Sequence, residues 1–120
     1  MQAAECKQIA LSWIDAFNQH DLDKLLSLYD DQAVHFSPKL LERKPETGGW
    51  IKGKSALSTW WQDAFERLPS LNYRATNFIV QENAVFLEYI RSVNGEKDLR
   101  VGEVLEMEAG KIIASRVYHG

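Results

Sequence analysis

The sequence has 120 residues, 45% of them apolar and 26% charged, with a formal net charge of −3. These values are typical of one soluble globular domain over residues 1–120 and exclude collagen-like, mucin-like and disordered chains. No apolar run approaches the roughly 20 residues that cross a bilayer, and no signal-peptide pattern opens the chain, so we expect neither membrane insertion nor secretion. The near balance of 14 basic and 17 acidic residues disfavours nucleic acid as a partner. A single cysteine, Cys6, excludes an internal disulfide and favours a cytoplasmic location.

Three helices are predicted in the first 67 residues. Apolar residues recur at helical spacing over 3–19. A second helix begins after the predicted N-cap Asp21 and keeps its apolar stripe through Tyr29. A third covers 54–67 and is stopped by Pro69. Each has one apolar face, so we expect all three to pack on the same partner.

The predicted partner is a β-sheet. Residues 33–37 alternate and predict a short strand that ends at Pro38. Residues 38–52 predict an irregular surface loop with Trp50 as a candidate lid. Turns then separate four predicted strands, at 72–81, 84–93, 99–107 and 111–119. The layout predicts an α+β fold in which three helices pack on one face of a curved, mostly antiparallel sheet of about five strands. Such a fold forms a cone with an internal pocket.

Four stretches, in this order, carry a family resemblance: WIDAFN followed by DLD (13–23), LYDDQAV (28–34), GKSAL (53–57), and AGKII followed by RVY (109–118). They resemble the nuclear-transport-factor-2-like superfamily, and within it the SnoaL-like and ketosteroid-isomerase-like proteins with a cystatin-like fold. The resemblance implies a pocket between the concave sheet and the helices, and often a homodimer formed through the sheet. Function stays open, because this fold carries isomerases, cyclases, dehydratases, hydrolases and plain binding domains.

One motif points elsewhere. Residues 48–55 satisfy the phosphate-binding pattern G-x-x-x-x-G-K-[ST]. A working phosphate loop needs a buried strand directly before it, and residues 43–47, which include Pro45, do not form one. We therefore interpret this segment as a loop and a helix start, without nucleotide binding.

Glu103 is the first candidate catalytic residue. Strand alternation places Val101, Glu103, Leu105 and Met107 on one face. Apolar surroundings disfavour a charged carboxylate and raise its pKa, which suits a general acid or a hydrogen-bond donor. The resemblance, with one gap, also places Glu103 where ketosteroid isomerases carry the acid of their oxyanion hole. The alternatives are a glutamate at the pocket rim or strand edge that pairs with Arg91 across the hairpin, or one that is simply solvated.

The loop at Asn94-Gly95 decides which residues share the face of Glu103. A loop of two or four residues places Glu88 there, whereas a loop of three places Tyr89 and Arg91 there. The second register gives the more apolar face and is preferred. It would make Arg91 the partner of Glu103.

His35 is the second catalytic candidate, on the same strand face as Ser37. The resemblance places the isomerase base on Ser37 and the isomerase tyrosine on Trp13, so steroid isomerisation itself is not expected. A histidine titrates near neutral pH, and His35 is therefore a candidate general base. The alternative is a strand histidine that binds only a loop or water. No histidine spacing typical of a metal site occurs, and neither a metal nor another cofactor is implied.

These residues together predict an aromatic pocket for a small apolar molecule, with a carbonyl group as the reactive centre. In the enzyme hypothesis, His35 removes a proton beside the carbonyl and protonated Glu103 stabilises the enolate oxygen, as in an isomerase or an aldol-type cyclase. The alternatives are a non-catalytic ligand-binding domain and a protein-interaction domain that uses the outer sheet face. A homodimer is expected. The predicted walls are Trp13, Phe17, Trp60, Leu105 and Met107, and the predicted polar points are His35, Ser37, Arg91, Glu103 and, through the resemblance, His119.

Overall fold

A computed structural model describes all residues 1–120, which form four α-helices and one six-stranded sheet. The helices are α1 (Ala3–Gln19), α2 (Leu22–Ser27), α3 (Pro38–Arg43) and α4 (Lys54–Arg67), with a 3-10 turn at Pro45–Thr47. The strands are β1 (Tyr29–Phe36), β2 (Trp50–Lys52), β3 (Asn72–Gln81), β4 (Ala84–Ser92), β5 (Leu99–Glu108) and β6 (Lys111–Tyr118).

The strand order is β2-β1-β6-β5-β4-β3, and every neighbouring pair is antiparallel except β1 and β6, which are parallel. The inner face of this sheet packs against α1 and α4 around one hydrophobic core. The predicted α+β class, with helices on a mostly antiparallel sheet, is confirmed, with four helices instead of three and six strands instead of about five. None of the helices is long and apolar enough to cross a bilayer.

The second helix is shorter in the structure than the sequence predicts. Asp21 caps α2 as predicted, accepting a hydrogen bond from the Lys24 amide at 3.0 Å. The helix ends at Ser27, and Tyr29 begins β1, where it lies opposite Ile112 of β6. Pairing with a distant strand therefore overrides the local helical spacing, and β1 begins four residues before the predicted strand.

The segment 38–52 is more regular than predicted. The Ser37 hydroxyl accepts a hydrogen bond from the Lys39 amide at 3.2 Å, and Pro38 occupies the first helical turn, so a short helix begins there. The segment then returns as β2, which pairs with β1 at the sheet edge. Trp50 packs against Phe36 on the outer face of the sheet, with ring centres 5.4 Å apart, and is therefore no lid over the inner face.

The register between β4 and β5 agrees with the preferred alternative. Leu87 lies opposite Glu103, and Arg91 lies opposite Leu99, so both Leu87 and Arg91 share the inner face with Glu103. Glu88 lies opposite Gly102 and points to the outer face. The connection between the last paired residues, Arg91 and Leu99, consists of residues 92–98 and is longer than the predicted three residues. Both loop lengths are odd, so the same residues of β4 share the face of Glu103 in either case.

Candidate functional site

A cavity of about 290 Å³ lies between the inner face of the sheet and helices α1, α3 and α4. Its apolar wall is mainly aromatic, and a small number of buried polar side chains interrupt it. The predicted site residues that line it are Trp13, Phe17, His35, Ser37, Trp60, Arg91, Glu103 and His119. Further aromatic lining comes from Trp61, Tyr73 and Tyr89.

Leu105 and Met107 do not line the cavity, which corrects their predicted place in its wall. They are 0% and 2% exposed and belong to the hydrophobic core. They lie on the predicted face of β5, but at a part of the strand that does not border the cavity. Val101 and Glu103 line the cavity, whereas Leu105 and Met107 lie further along β5, within the hydrophobic core.

Glu103 is a carboxyl group in the floor of this cavity, and its side chain is 1% exposed. The Tyr89 hydroxyl donates a hydrogen bond to its Oε1 atom at 2.9 Å, while its Oε2 atom has no partner in the chain. Burial raises the pKa of Glu103 to about 8, although the hydrogen bond from Tyr89 opposes the shift. Near neutral pH this group can therefore exist as an acid or as a base, with one oxygen free to contact a ligand.

Tyr89, not Arg91, is the partner of Glu103, which corrects the predicted pair. Arg91 lines the cavity but directs its Nη1 atom to Oε1 of Glu96, at 3.2 Å. The ring of Tyr89 stacks on that of Tyr73, with centres 4.3 Å apart. Burial and the charge of Glu103 raise the pKa of both tyrosines, so both hydroxyl groups stay protonated near neutral pH and that of Tyr89 can donate to Glu103. In the preferred register, strand alternation on β4 places Tyr89 on the face of Glu103, and this is the sequence signal for their hydrogen bond.

His35 is the second buried ionisable group of the cavity, with 3% of its surface exposed. Its Nδ1 atom lies 2.6 Å from Oγ of Ser115, and its ring meets Trp61 edge-on at 5.2 Å between centres. Burial lowers the pKa of His35 to about 4, against a smaller opposing effect from the backbone of Ser115. The imidazole is therefore neutral at pH 7.

The hydrogen bond at His35 continues into the protein. The Trp13 indole donates to the Tyr29 hydroxyl at 3.1 Å, and the Tyr29 hydroxyl donates to Oγ of Ser115 at 2.9 Å. Tyr29 and Ser115 are both completely buried. Neither residue is among the site residues predicted from the sequence. The available signal for Ser115 is its position on the strand face of Val117 and His119, whereas for Tyr29 the sequence predicts a helix.

The strand register sets the spacing of the two ionisable groups. His35 lies opposite Ser115 of β6, and Glu103 of β5 lies opposite Val117. His35 and Glu103 are thus two strands apart, which separates their backbones by about 10 Å or slightly more. Such a gap leaves room for a ligand that contacts both side chains.

Other polar residues complete the lining. Ser37 uses its hydroxyl to cap α3, whereas His119 has a buried Nε2 atom without a partner. Charged residues of both signs also line the cavity: the basic ones are Lys39, Arg43, Arg67 and Arg91, and the acidic ones are Glu42 and Glu96. The fold brings no group of three or more histidine, cysteine or acidic side chains into an arrangement for a metal ion.

Residues 10–115 match the SnoaL-like domain family. The chain therefore belongs to this family, and the predicted SnoaL-like resemblance is confirmed. Among curated proteins, none matches the sequence.

Solved structures share the fold at low sequence identity. A SnoaL-like protein of unknown function from Burkholderia thailandensis is 24% identical, with 100% of this chain and 99% of that chain covered and a TM-score of 0.88. A Sinorhizobium meliloti protein, provisionally assigned as a polyketide cyclase, is 17% identical over 98% of this chain and 100% of that chain, with a TM-score of 0.80. A Kribbella flavida protein, provisionally assigned as a ketosteroid isomerase, is 13% identical over 98% and 79% of the two chains, with a TM-score of 0.81.

Proposed function

We propose that this domain binds a small, mostly apolar carbonyl compound in the cavity and catalyses a proton transfer on it without a cofactor. The reaction class is that of an isomerase or an aldol-type cyclase. The observation that carries the proposal is Glu103, a buried carboxyl group with one oxygen held by Tyr89 and the other unpartnered. A carboxyl group whose pKa lies near the working pH is suited to take up and return a proton.

The cavity supports an apolar ligand of limited size. An apolar cavity of roughly 150 Å³ holds a benzene molecule. The volume of about 290 Å³ is close to twice that value, which favours a molecule of one or two rings over a four-ring steroid. The names given to the Sinorhizobium meliloti and Kribbella flavida proteins also point to carbonyl substrates, and we carry only that class over to this chain.

The proposed chemistry needs a base next to a carbon atom and a donor next to the carbonyl oxygen. Removal of a proton from the carbon beside the carbonyl moves the C–H electron pair into a new carbon–carbon double bond and leaves negative charge on the oxygen. A hydrogen-bond donor at that oxygen stabilises the enolate. Glu103 and His35 both line the cavity, two strands apart on the inner face of the sheet, and are the two groups that we assign to these roles.

The first experiment measures binding. A thermal-shift screen with enones, steroids, aromatic polyketides and two-ring aromatic ketones, followed also by tryptophan fluorescence, identifies the ligand class. A ligand at about 100 times its dissociation constant adds about 2.7 kcal/mol of stability, which raises the Tm by several degrees. We expect two-ring ketones to give the largest shift, and a panel without any shift would contradict the proposed ligand class.

The second experiment separates catalysis from binding. In Glu103→Gln the carboxyl group is lost but the shape is kept, so we expect turnover to fall by orders of magnitude while ligand binding changes little. Glu88→Gln, on the outer face of the neighbouring strand, is the matched control and should keep full turnover. Unchanged turnover in Glu103→Gln would contradict the proposal.

The experiments also distinguish two other functions, a non-catalytic binding domain and a protein-interaction domain. A non-catalytic binding domain predicts ligand-induced shifts without turnover in the wild type. A protein-interaction domain predicts that filling the cavity has no effect on its assay, which Ala64→Phe tests because Ala64 lines the cavity. The exposed aromatic residues Trp50 and Tyr118 on the outer face are the observation that favours this second alternative.

A further inference from the structure

Four buried side chains form a hydrogen-bonded chain that ends at the cavity: Trp13, Tyr29, Ser115 and His35. Its three donor–acceptor distances are 3.1, 2.9 and 2.6 Å in that order. All four residues are at most 3% exposed, so bulk water does not compete for these groups. Each hydrogen atom in the chain must therefore be directed to a partner within it.

The first residue sets the direction of the chain. An indole nitrogen can only donate, so the Tyr29 oxygen accepts from Trp13. The Tyr29 hydrogen is then directed to Oγ of Ser115, which is the only other hydrogen-bond partner of the tyrosine hydroxyl. Ser115 receives this bond and retains one hydrogen atom of its own.

The hydrogen atom of Ser115 decides the state of His35. The only remaining partner of the serine hydroxyl is Nδ1 of His35. If Nδ1 carried the imidazole hydrogen, Ser115 would accept twice and its own hydrogen would be buried without an acceptor, which costs about 1–3 kcal/mol. The satisfied arrangement has Ser115 donating to an unprotonated Nδ1, and the hydrogen of the neutral ring then lies on Nε2.

We infer that Trp13, Tyr29 and Ser115 are positioning residues that hold His35 in its Nε2–H form, so that His35 donates a hydrogen bond to the ligand's carbonyl oxygen and Glu103 is the base. This inference rests on the proposed function for the identity of the ligand, but not for the state of His35. It reverses the two roles that the sequence analysis assigns to His35 and Glu103. The physical reason is that the Nδ1 lone pair is already occupied, and Nε2 has no lone pair available for a proton.

The Glu103 carboxylate takes a proton from the carbon beside the carbonyl, the C–H pair becomes the enolate double bond, and the carbonyl oxygen accepts the Nε2–H hydrogen bond of His35. Return of the proton from Glu103 to another carbon completes an isomerisation. The titratable and charged groups around Glu103 are Tyr89 on β4, Tyr73 on β3 and Tyr29 on β1, together with the cavity-lining residues His35, Arg91, Glu96 and His119.

The test is a direct NMR observation of the ring nitrogens. Protein labelled with ¹⁵N-histidine contains three imidazoles, and His35→Asn identifies the His35 signals by their loss. Long-range ¹H–¹⁵N correlations distinguish a protonated from an unprotonated ring nitrogen. At pH 7 without ligand, we expect an unprotonated Nδ1 and a protonated Nε2. A protonated Nδ1, or an averaged pair of signals, would overturn the inference even if the domain proves to be an isomerase.

Variants test whether the chain of hydrogen bonds fixes this state. Ser115→Ala removes the donor to Nδ1, so we expect the two neutral forms of His35 to become mixed. Ser115→Thr keeps a hydroxyl group and should retain the wild-type signals. Tyr29→Phe removes the donor to Ser115, frees the serine hydroxyl to turn, and should also give a mixture. Wild-type signals in both Ser115→Ala and Tyr29→Phe would contradict a positioning role, and circular dichroism confirms that each variant is folded.

Discussion

Burial shifts the protonation of Glu103 and His35 in opposite directions, which makes the stability of the fold depend on pH. The pKa of Glu103 is raised from 4.5 to about 8, so between these values the folded state holds a proton that the unfolded state releases, and stability falls as pH rises. The pKa of His35 is lowered from 6.5 to about 4, so between these values stability rises with pH. The two effects oppose each other between pH 4.5 and 6.5, and from pH 6.5 to about 8 only the effect of Glu103 remains.

We therefore predict that the wild-type Tm falls between pH 6.5 and 8. One group contributes a slope of at most about 1.4 kcal/mol per pH unit, which corresponds to several degrees over this interval. Glu103→Gln removes the titrating group and should give a nearly constant Tm, whereas Glu88→Gln should follow the wild type. Scanning calorimetry at matched ionic strength makes the comparison. A wild-type Tm that does not change over this interval would show that Glu103 ionises freely.

Among the secondary-structure elements, Gly49 directly precedes β2 and sets the backbone turn that brings this strand alongside β1. Gly49 has a φ of +91°, and its carbonyl oxygen accepts a hydrogen bond from the Ser37 amide at 3.0 Å. A Cβ atom at this position would lie 2.6 Å from the ring of Phe36. The neighbouring Gly48 also has a positive φ, of +66°, but a Cβ atom there would meet nothing within 4 Å.

These two glycines form a matched pair of sites. Both alanine variants acquire a residue with positive φ, but only Gly49→Ala also collides with an aromatic ring. We expect Gly49→Ala to lower the free energy of unfolding by about 1–3 kcal/mol more than Gly48→Ala, as overpacked sites do. Urea denaturation measures the difference. Equal losses in the two variants would mean that Phe36 moves aside without cost.

The elements that the sequence predicts well are those with strong local periodicity. Helices α1 and α4 and strands β3 to β6 have bounds that agree with the prediction to within one residue. The sequence predicts a helix at Tyr29 because this residue continues the apolar spacing of α2. Its place in β1 depends on pairing with Ile112, which is a long-range contact that local spacing does not encode.

The candidate site likewise combines features that local periodicity predicts with contacts that only the tertiary fold creates. Alternation alone identifies Glu103 as a carboxyl group on an apolar face, and burial explains its raised pKa. The bond between Tyr29 and Ser115 joins residues 86 positions apart, and the tertiary fold is required to reveal it. Leu105 and Met107 show a related limit, because alternation assigns a strand face but not which part of that face borders a cavity.

At the scale of the whole molecule, we propose that two copies associate through the outer face of the sheet. Phe36, Trp50 and Tyr118 form an aromatic cluster on this face, with ring centres 5.4 and 6.0 Å apart, and Trp50 and Tyr118 are 43% and 48% exposed. An exposed aromatic cluster of this kind is typical of an interaction surface.

The proposed dimer predicts a solution mass of twice 13.8 kDa by light scattering at micromolar concentration. Tyr118→Lys places a charge on the outer face and should give the monomer mass. Leu11→Lys, at an exposed apolar position of α1, introduces the same charge elsewhere and should leave the dimer intact. A wild-type protein with the monomer mass would contradict the proposal, and so would a dimer that Tyr118→Lys does not weaken.

Exchange of ligand protons with solvent reports directly on Glu103 as a base. 2-Tetralone, a two-ring ketone of suitable size, is incubated with the protein in deuterated buffer between pH 6 and 9, and loss of the signals from its exchangeable protons is followed by NMR. We predict a protein-dependent rate that rises with an apparent pKa near 8, as Glu103 becomes a carboxylate. We also expect a rate on the order of 100-fold lower in Glu103→Gln and unchanged in Glu88→Gln. A Glu103→Gln variant that exchanges these protons as fast as the wild type would contradict the claim.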